Sequence, residues 1–147
     1  MTQSDAAVIG RDLLAAVLDR IIPAGDGFPG AGEIASDYVA RVVASGGVAA
    51  PLFSEIEQAG LRYSSNGFTG LSDAQRDSVL KEIEASHPAA FDALVVSAYA
   101  GYYSDPRMIG LLGLDPRPPQ PRGHEMEPLN LRLLDRVRRR KPIYRET

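Results

Sequence analysis

Residues 13–33 read LLAAVLDRIIPAGDGFPGAGE, and the order of these residues decides the fold. Leu14, Leu18 and Ile21 fall on one helical stripe, with Leu13 and Val17 beside it. The helix is expected over residues 4–22, with Ser4 and Asp5 able to accept from its first free N–H groups. Pro23 drives Ile22 out of the α region and stops it. Four glycines and two prolines in residues 23–32 make a loop, and a second helix is expected from Glu33 to about Ala44.

Three more helices follow by the same logic. Gly46 and Gly47 end the second helix. Pro51 suits the first turn of a third, over residues 48–63, because a missing N–H is harmless there; Leu52, Ile56 and Ala59 keep helical spacing, with Phe53 flanking. Ser72 with Gln75 is a capping-box pattern that opens a fourth helix, with Val79, Leu80 and Ile83 as its buried stripe. Pro88 opens the fifth, in which Phe91, Leu94, Val95, Ala98, Tyr99 and Tyr102 make a broad apolar face expected at the centre of a bundle.

Beyond Tyr103 the chain changes character. Seven of its 11 prolines lie after position 105, so residues 115–128 read as extended, with a short helix resuming over about residues 129–138. The expected fold class is all-α: about five helices in residues 1–104, then a proline-rich, basic extension over residues 105–147 that docks on a partner. Residues 1–103 carry 6 Lys/Arg against 13 Asp/Glu, whereas residues 104–147 carry 10 against 6. An acidic body with a cationic tail points the tail toward an acidic surface.

Chemistry is scarce in the sequence. The chain has no cysteine, which removes thiolate metal sites, iron–sulfur clusters and thiol nucleophiles. No apolar run reaches the roughly 20 residues of a membrane span. The glycines of residues 25–32 follow a helix rather than a strand and lack a Lys-Ser/Thr ending, so they serve loop geometry rather than a phosphate. Asp19, Asp26 and Glu33 lack the spacing of a calcium loop. His87 sits between two helices and reads as part of a turn. His124, beside Glu125 and Glu127, lacks the i, i+4 spacing that gathers metal ligands on a helix. A nucleophile elbow of the Gly-x-Ser-x-Gly kind is absent. No catalytic, cofactor-binding or metal residue is therefore assigned.

Three stretches carry a resemblance. They are the helix–Ile-Ile-Pro–loop–Pro-Gly-Ala–Glu run already quoted, FTGLSDAQRDSVL at residues 68–80, and AYAGYYSDPRMIGLLG at residues 98–113. Together they cover most of residues 11–123, and the chain resembles the gluconate 2-dehydrogenase subunit 3 family, the small subunits of flavin-dependent sugar dehydrogenases. The resemblance implies a non-catalytic subunit that stabilises or chaperones a large flavoprotein of the glucose-methanol-choline type. FAD would sit in that partner and none on this chain, with a c-type cytochrome completing some complexes. Members often carry a twin-arginine leader; none is seen here, so the expected location is cytoplasmic, the alternative being a periplasmic protein with a removed leader or one exported with its partner.

The residues expected at the partner interface are Pro29, Tyr102, Tyr103, Arg107, Arg138, Arg139, Arg140 and Tyr144. Tyrosine joins a rigid apolar ring to a polar tip, and arginine pairs with carboxylates in bidentate fashion. The alternative is a stand-alone module whose basic tail binds nucleic acid or an acidic protein. Only residues 132–145 are strongly basic, the body is acidic and the pI is about 5.4, which favours protein over nucleic acid.

Overall fold

A computed structural model describes residues 9–115 and 131–134. The chain divides into two units, Met1–Pro116 and Arg117–Thr147. In the second, the described residues form a single 3-10 turn, Leu131–Leu134, inside the stretch where a short helix was expected. Among its described residues the first unit holds seven α-helices and no strand apart from one isolated bridge between Gly25 and Phe28.

Helix α1 (Arg11–Ile21) begins after Gly10, and Ile22 leaves it in an extended conformation, as Pro23 requires. The expected Ser4/Asp5 cap lies outside the described residues. Leu14, Val17 and Leu18 are buried. The chain then turns through Asp26 (φ 52°) and Gly27 (φ 84°), with Gly25 and Phe28 exchanging backbone hydrogen bonds of 3.1 and 2.8 Å. Two successive residues with positive φ give the tight hairpin turn that Asp-Gly favours.

One helix was expected after this loop, and there are two: α2 (Ala31–Ile34) and α3 (Ser36–Ala44). The Ser36 hydroxyl donates to the Gly32 carbonyl at 2.6 Å, the same oxygen that its own N–H would take in a regular helix, and such back-bonding bends helices. Gly46 (φ 81°) ends α3, and the Gly47 N–H closes onto the Val42 carbonyl.

Helix α4 (Pro51–Leu61) has Pro51 in its first turn and buries Leu52, Phe53, Ile56 and Ala59. Its Gly60 lies against the backbone of Phe68, which starts a 3-10 turn, Phe68–Gly70. A Cβ at position 60 would overlap that backbone, so glycine alone permits the approach. Helix α5 (Asp73–Ser86) carries the expected capping box in both directions. The Gln75 N–H donates to Ser72 Oγ, and the Ser72 N–H donates to Gln75 Oε1 at 3.0 Å. Its buried residues are the expected Val79, Leu80 and Ile83.

Helix α6 (Pro88–Ser104) packs on α1, α2, α3, α5 and α7, and α1 packs on α2 to α6, so these two helices share the centre of the bundle. Helix α7 (Pro106–Leu111) follows at once. The proline-rich tail was expected to begin at position 105; instead Asp105 caps a further turn of helix and Met108 is fully buried. The physical reason is local: an aspartate before Pro at the first helical position starts a helix as readily as it forms a turn.

Candidate partner-binding surface

Four of the eight expected interface residues are described, and contacts run through all four. The Tyr102 ring is 3 % exposed, and its hydroxyl donates to the Pro29 carbonyl at 2.7 Å. Burial pushes the Tyr102 hydroxyl up from its ordinary pKa, which keeps it a donor. The Tyr103 ring meets Tyr102 edge-on at 5.2 Å and stacks on Tyr99 at 6.1 Å with 15° between the planes. Tyr99 and Tyr103 are themselves 46 % and 50 % exposed. Tyr99 was expected on the buried face; the bundle instead buries Phe91, Leu94, Ala98 and Tyr102 and leaves Tyr99 outward.

Arg107 is half exposed and engaged within its own chain. Its Nε and Nη2 donate to the Asp105 carboxylate at 3.0 and 3.2 Å, and Nη1 stands 3.8 Å from Glu33. The hydrogen bonds from Arg107 hold the Asp105 carboxyl below the usual carboxylate range. Arg138, Arg139, Arg140 and Tyr144 lie outside the described residues, as does His124. His87 joins α5 to α6 through its backbone, with no side-chain hydrogen bond capping α6.

The loop that presents Pro29 is fixed at several points. The Ala31 N–H donates to the Ile22 carbonyl at 2.9 Å, and the Gly32 N–H to Asp19 Oδ1 at 2.7 Å. A Cβ at position 32 would stand 2.6 Å from the Ala15 carbonyl oxygen, so glycine is required there, and a Cβ at position 30 would displace the Asp19 carboxylate. Asp19 is thus a loop clamp, and no cluster of three metal-ligating side chains occurs among the described residues.

Sequence reasoning missed the charged brace behind this loop. Arg20 Nε and Nη2 donate to Asp77 at 2.7 and 2.8 Å, and Nη1 pairs with Asp73 at 3.0 Å. The Arg20 hydrogen bond lowers the Asp77 pKa, a fork geometry typical of arginine and carboxylate. The partners are 57 residues apart, so no local spacing signals them. Arg76 likewise donates to the Phe68 carbonyl at 3.3 Å and the Thr69 carbonyl, pinning the 3-10 turn.

Beside the brace runs an open groove of about 370 Å³ between α1, α5 and α6. Ile21, Leu80, Phe91, Val95 and Tyr99 supply its apolar wall; Arg20, Asp77, Lys81 and Glu84 form the charged rim. Val96, 60 % exposed, and Tyr103 continue the apolar surface along α6. Leu111, Leu112 and Leu114 are also exposed at the end of the unit.

Fold and surface together define a small all-α domain with a preorganised aromatic face turned to solvent. The family model for gluconate 2-dehydrogenase subunit 3 matches residues 10–114, and the chain belongs to that family. The family is that of a subunit of an oxidoreductase complex, which fits an accessory role. No curated protein and no solved structure matches the chain.

Proposed function

We propose that this chain is the non-catalytic small subunit of a flavin-dependent sugar dehydrogenase, holding the FAD-containing catalytic subunit in its folded, loaded form. The family match over residues 10–114 carries this reading, because it spans nearly all of the helical body. The exposed Tyr99–Tyr103 stack adds to it, since tyrosine is enriched where proteins meet. The partner is a flavoprotein of the glucose-methanol-choline class, oxidising a CH–OH group of a sugar and passing electrons onward, in some assemblies to a c-type cytochrome. Residues 105–147, with Arg138 to Arg140 and Tyr144, extend the contact along the partner's acidic surface. The compartment is that of the catalytic subunit: cytoplasmic, or periplasmic through a removed leader or export together with the partner.

The test is co-expression with the flavoprotein of the native host. The catalytic subunit should be recovered soluble and flavin-loaded with this chain and poorly without it, and the pair should reduce an artificial acceptor with a sugar substrate. Equal flavin loading and activity in the absence of the chain would remove the reading.

A further inference from the structure

The outer face of α6 has a pattern that the bundle does not use. Val96, Tyr99 and Tyr103 are spaced by three and four residues, all are about half exposed or more, and residues 93–104 contain no charge. An ordinary solvent-facing helix carries charged residues on that side. Spacing of three and four is the pattern by which one helix seats another. The rings are also held in place before any partner arrives. Tyr99 stacks on Tyr103, Tyr103 abuts Tyr102, and Tyr102 is bonded to Pro29. Rings already ordered lose little freedom on docking.

Charge decides what covers the face. Residues 9–115 carry 14 Asp/Glu and 7 Lys/Arg. Most of the cations are engaged by the body's own carboxylates, as in Arg11–Asp37, Arg20–Asp77, Arg62–Glu82 and Arg107–Asp105. The net charge is negative over residues 9–115, at −7, and over the whole chain, at −3, so a second copy would bring a like-charged molecule against this one. A partner with basic flanks meets the opposite field.

Resting on the function proposed above, we infer that the face of α6 formed by Val96, Tyr99 and Tyr103, with the adjoining α5–α6 groove, docks an amphipathic helix of the dehydrogenase catalytic subunit. That helix lays an apolar stripe over the tyrosines and presents Lys or Arg at its edges. It is the helix-in-groove mode, in which apolar anchors give affinity and flanking charges give orientation.

The experiment uses the full chain, tagged, in its native host, and reads the flavin and dehydrogenase activity that co-purify with it. Wild type is expected to retain one flavin-bearing dehydrogenase polypeptide. V96E/Y99E should retain at least about tenfold less, while L61E/Y63E, altering residues equally exposed on and beyond α4, should match wild type. Because the α6 variant could lose stability, a photo-crosslinking residue at position 96 provides an independent reading. It should join the chain to the flavoprotein, and the same residue at position 63 should not. If wild type retains no flavoprotein, the function proposed above fails and this inference with it. If wild type and V96E/Y99E retain it equally and position 96 gives no crosslink, only the docking face is wrong. A purified chain that dimerises, with V96E/Y99E returning it to monomer, would assign the face to a second copy and overturn the inference.

Discussion

The Tyr102 hydroxyl donates a 2.7 Å hydrogen bond to the Pro29 carbonyl across 73 residues of sequence. It ties the loop between α1 and α2 to the last turns of α6. Tyr102→Phe keeps the ring and removes the donor. The loss should be about 1 kcal/mol, lowering the melting temperature by roughly 4 °C in a domain of this size. Amide exchange at Ala31 and Gly32 should speed up as the loop loosens, and hydrogen-exchange mass spectrometry reads both positions.

Gly60 and Gly110 make a matched pair. A Cβ at 60 meets the Phe68 backbone, whose N–H is already bound at 3.2 Å by Glu57; a Cβ at 110 meets nothing within 4 Å. Gly60→Ala should destabilise by about 1–3 kcal/mol through overpacking. Gly110→Ala, in α7, should be neutral or stabilise by up to about 1 kcal/mol. Urea denaturation of both variants separates the two cases, and equal midpoints would contradict the close approach of α4 to the 3-10 turn.

Ser72 caps α5 through its side chain and closes the box with Gln75. Ser72→Ala should cost about 1 kcal/mol, and Ser72→Asp a few tenths at most, because aspartate caps equally well. The comparison by thermal unfolding distinguishes loss of the cap from loss of serine as such.

Acid should weaken the body through two carboxylates. The Asp77 and Asp105 pKa values are lowered from 3.8 chiefly by hydrogen bonds from Arg20 and Arg107. A carboxylate depressed in the folded state binds its proton later than in the unfolded chain, so the unfolded state holds more protons in that window. Its stabilisation is therefore complete above 3.8 and is lost as the pH falls below that value through the lowered native one. Asp77→Asn should flatten this acid limb, with the melting temperature followed from pH 6 downward. An unchanged limb would show that the Arg20 brace adds nothing to stability.

Removal of residues 116–147 separates the contributions of body and tail to partner binding. The helical body should keep its melting temperature, while co-purification of the flavoprotein falls and becomes less sensitive to salt, since arginine–carboxylate attraction is screened. A truncated chain that retains its partner as wild type does would assign binding to the body alone.

The sequence by itself determined five helical segments and most of their buried stripes, but not α7, which falls where the tail was expected to begin. Local rules suffice for these: Pro23 stops α1, Gly46 ends α3, Pro51 and Pro88 open helices, and Ser72 with Gln75 caps α5. Each acts within a few residues of itself. The α2–α3 break was less legible, because Ser36 back-bonding competes with a continuous helix over a single hydrogen bond. Only the tertiary structure decided which tyrosine faces in. Tyr99 and Tyr102 both follow the periodicity of α6, and the choice falls to Tyr102 because the Pro29 carbonyl lies within reach of its hydroxyl. The same holds for Arg20, whose partners Asp73 and Asp77 come from α5. Periodicity records which side of a helix is apolar. Which distant backbone carbonyl or carboxylate comes to meet a given side chain depends on how the helices pack, and no spacing along the chain encodes it.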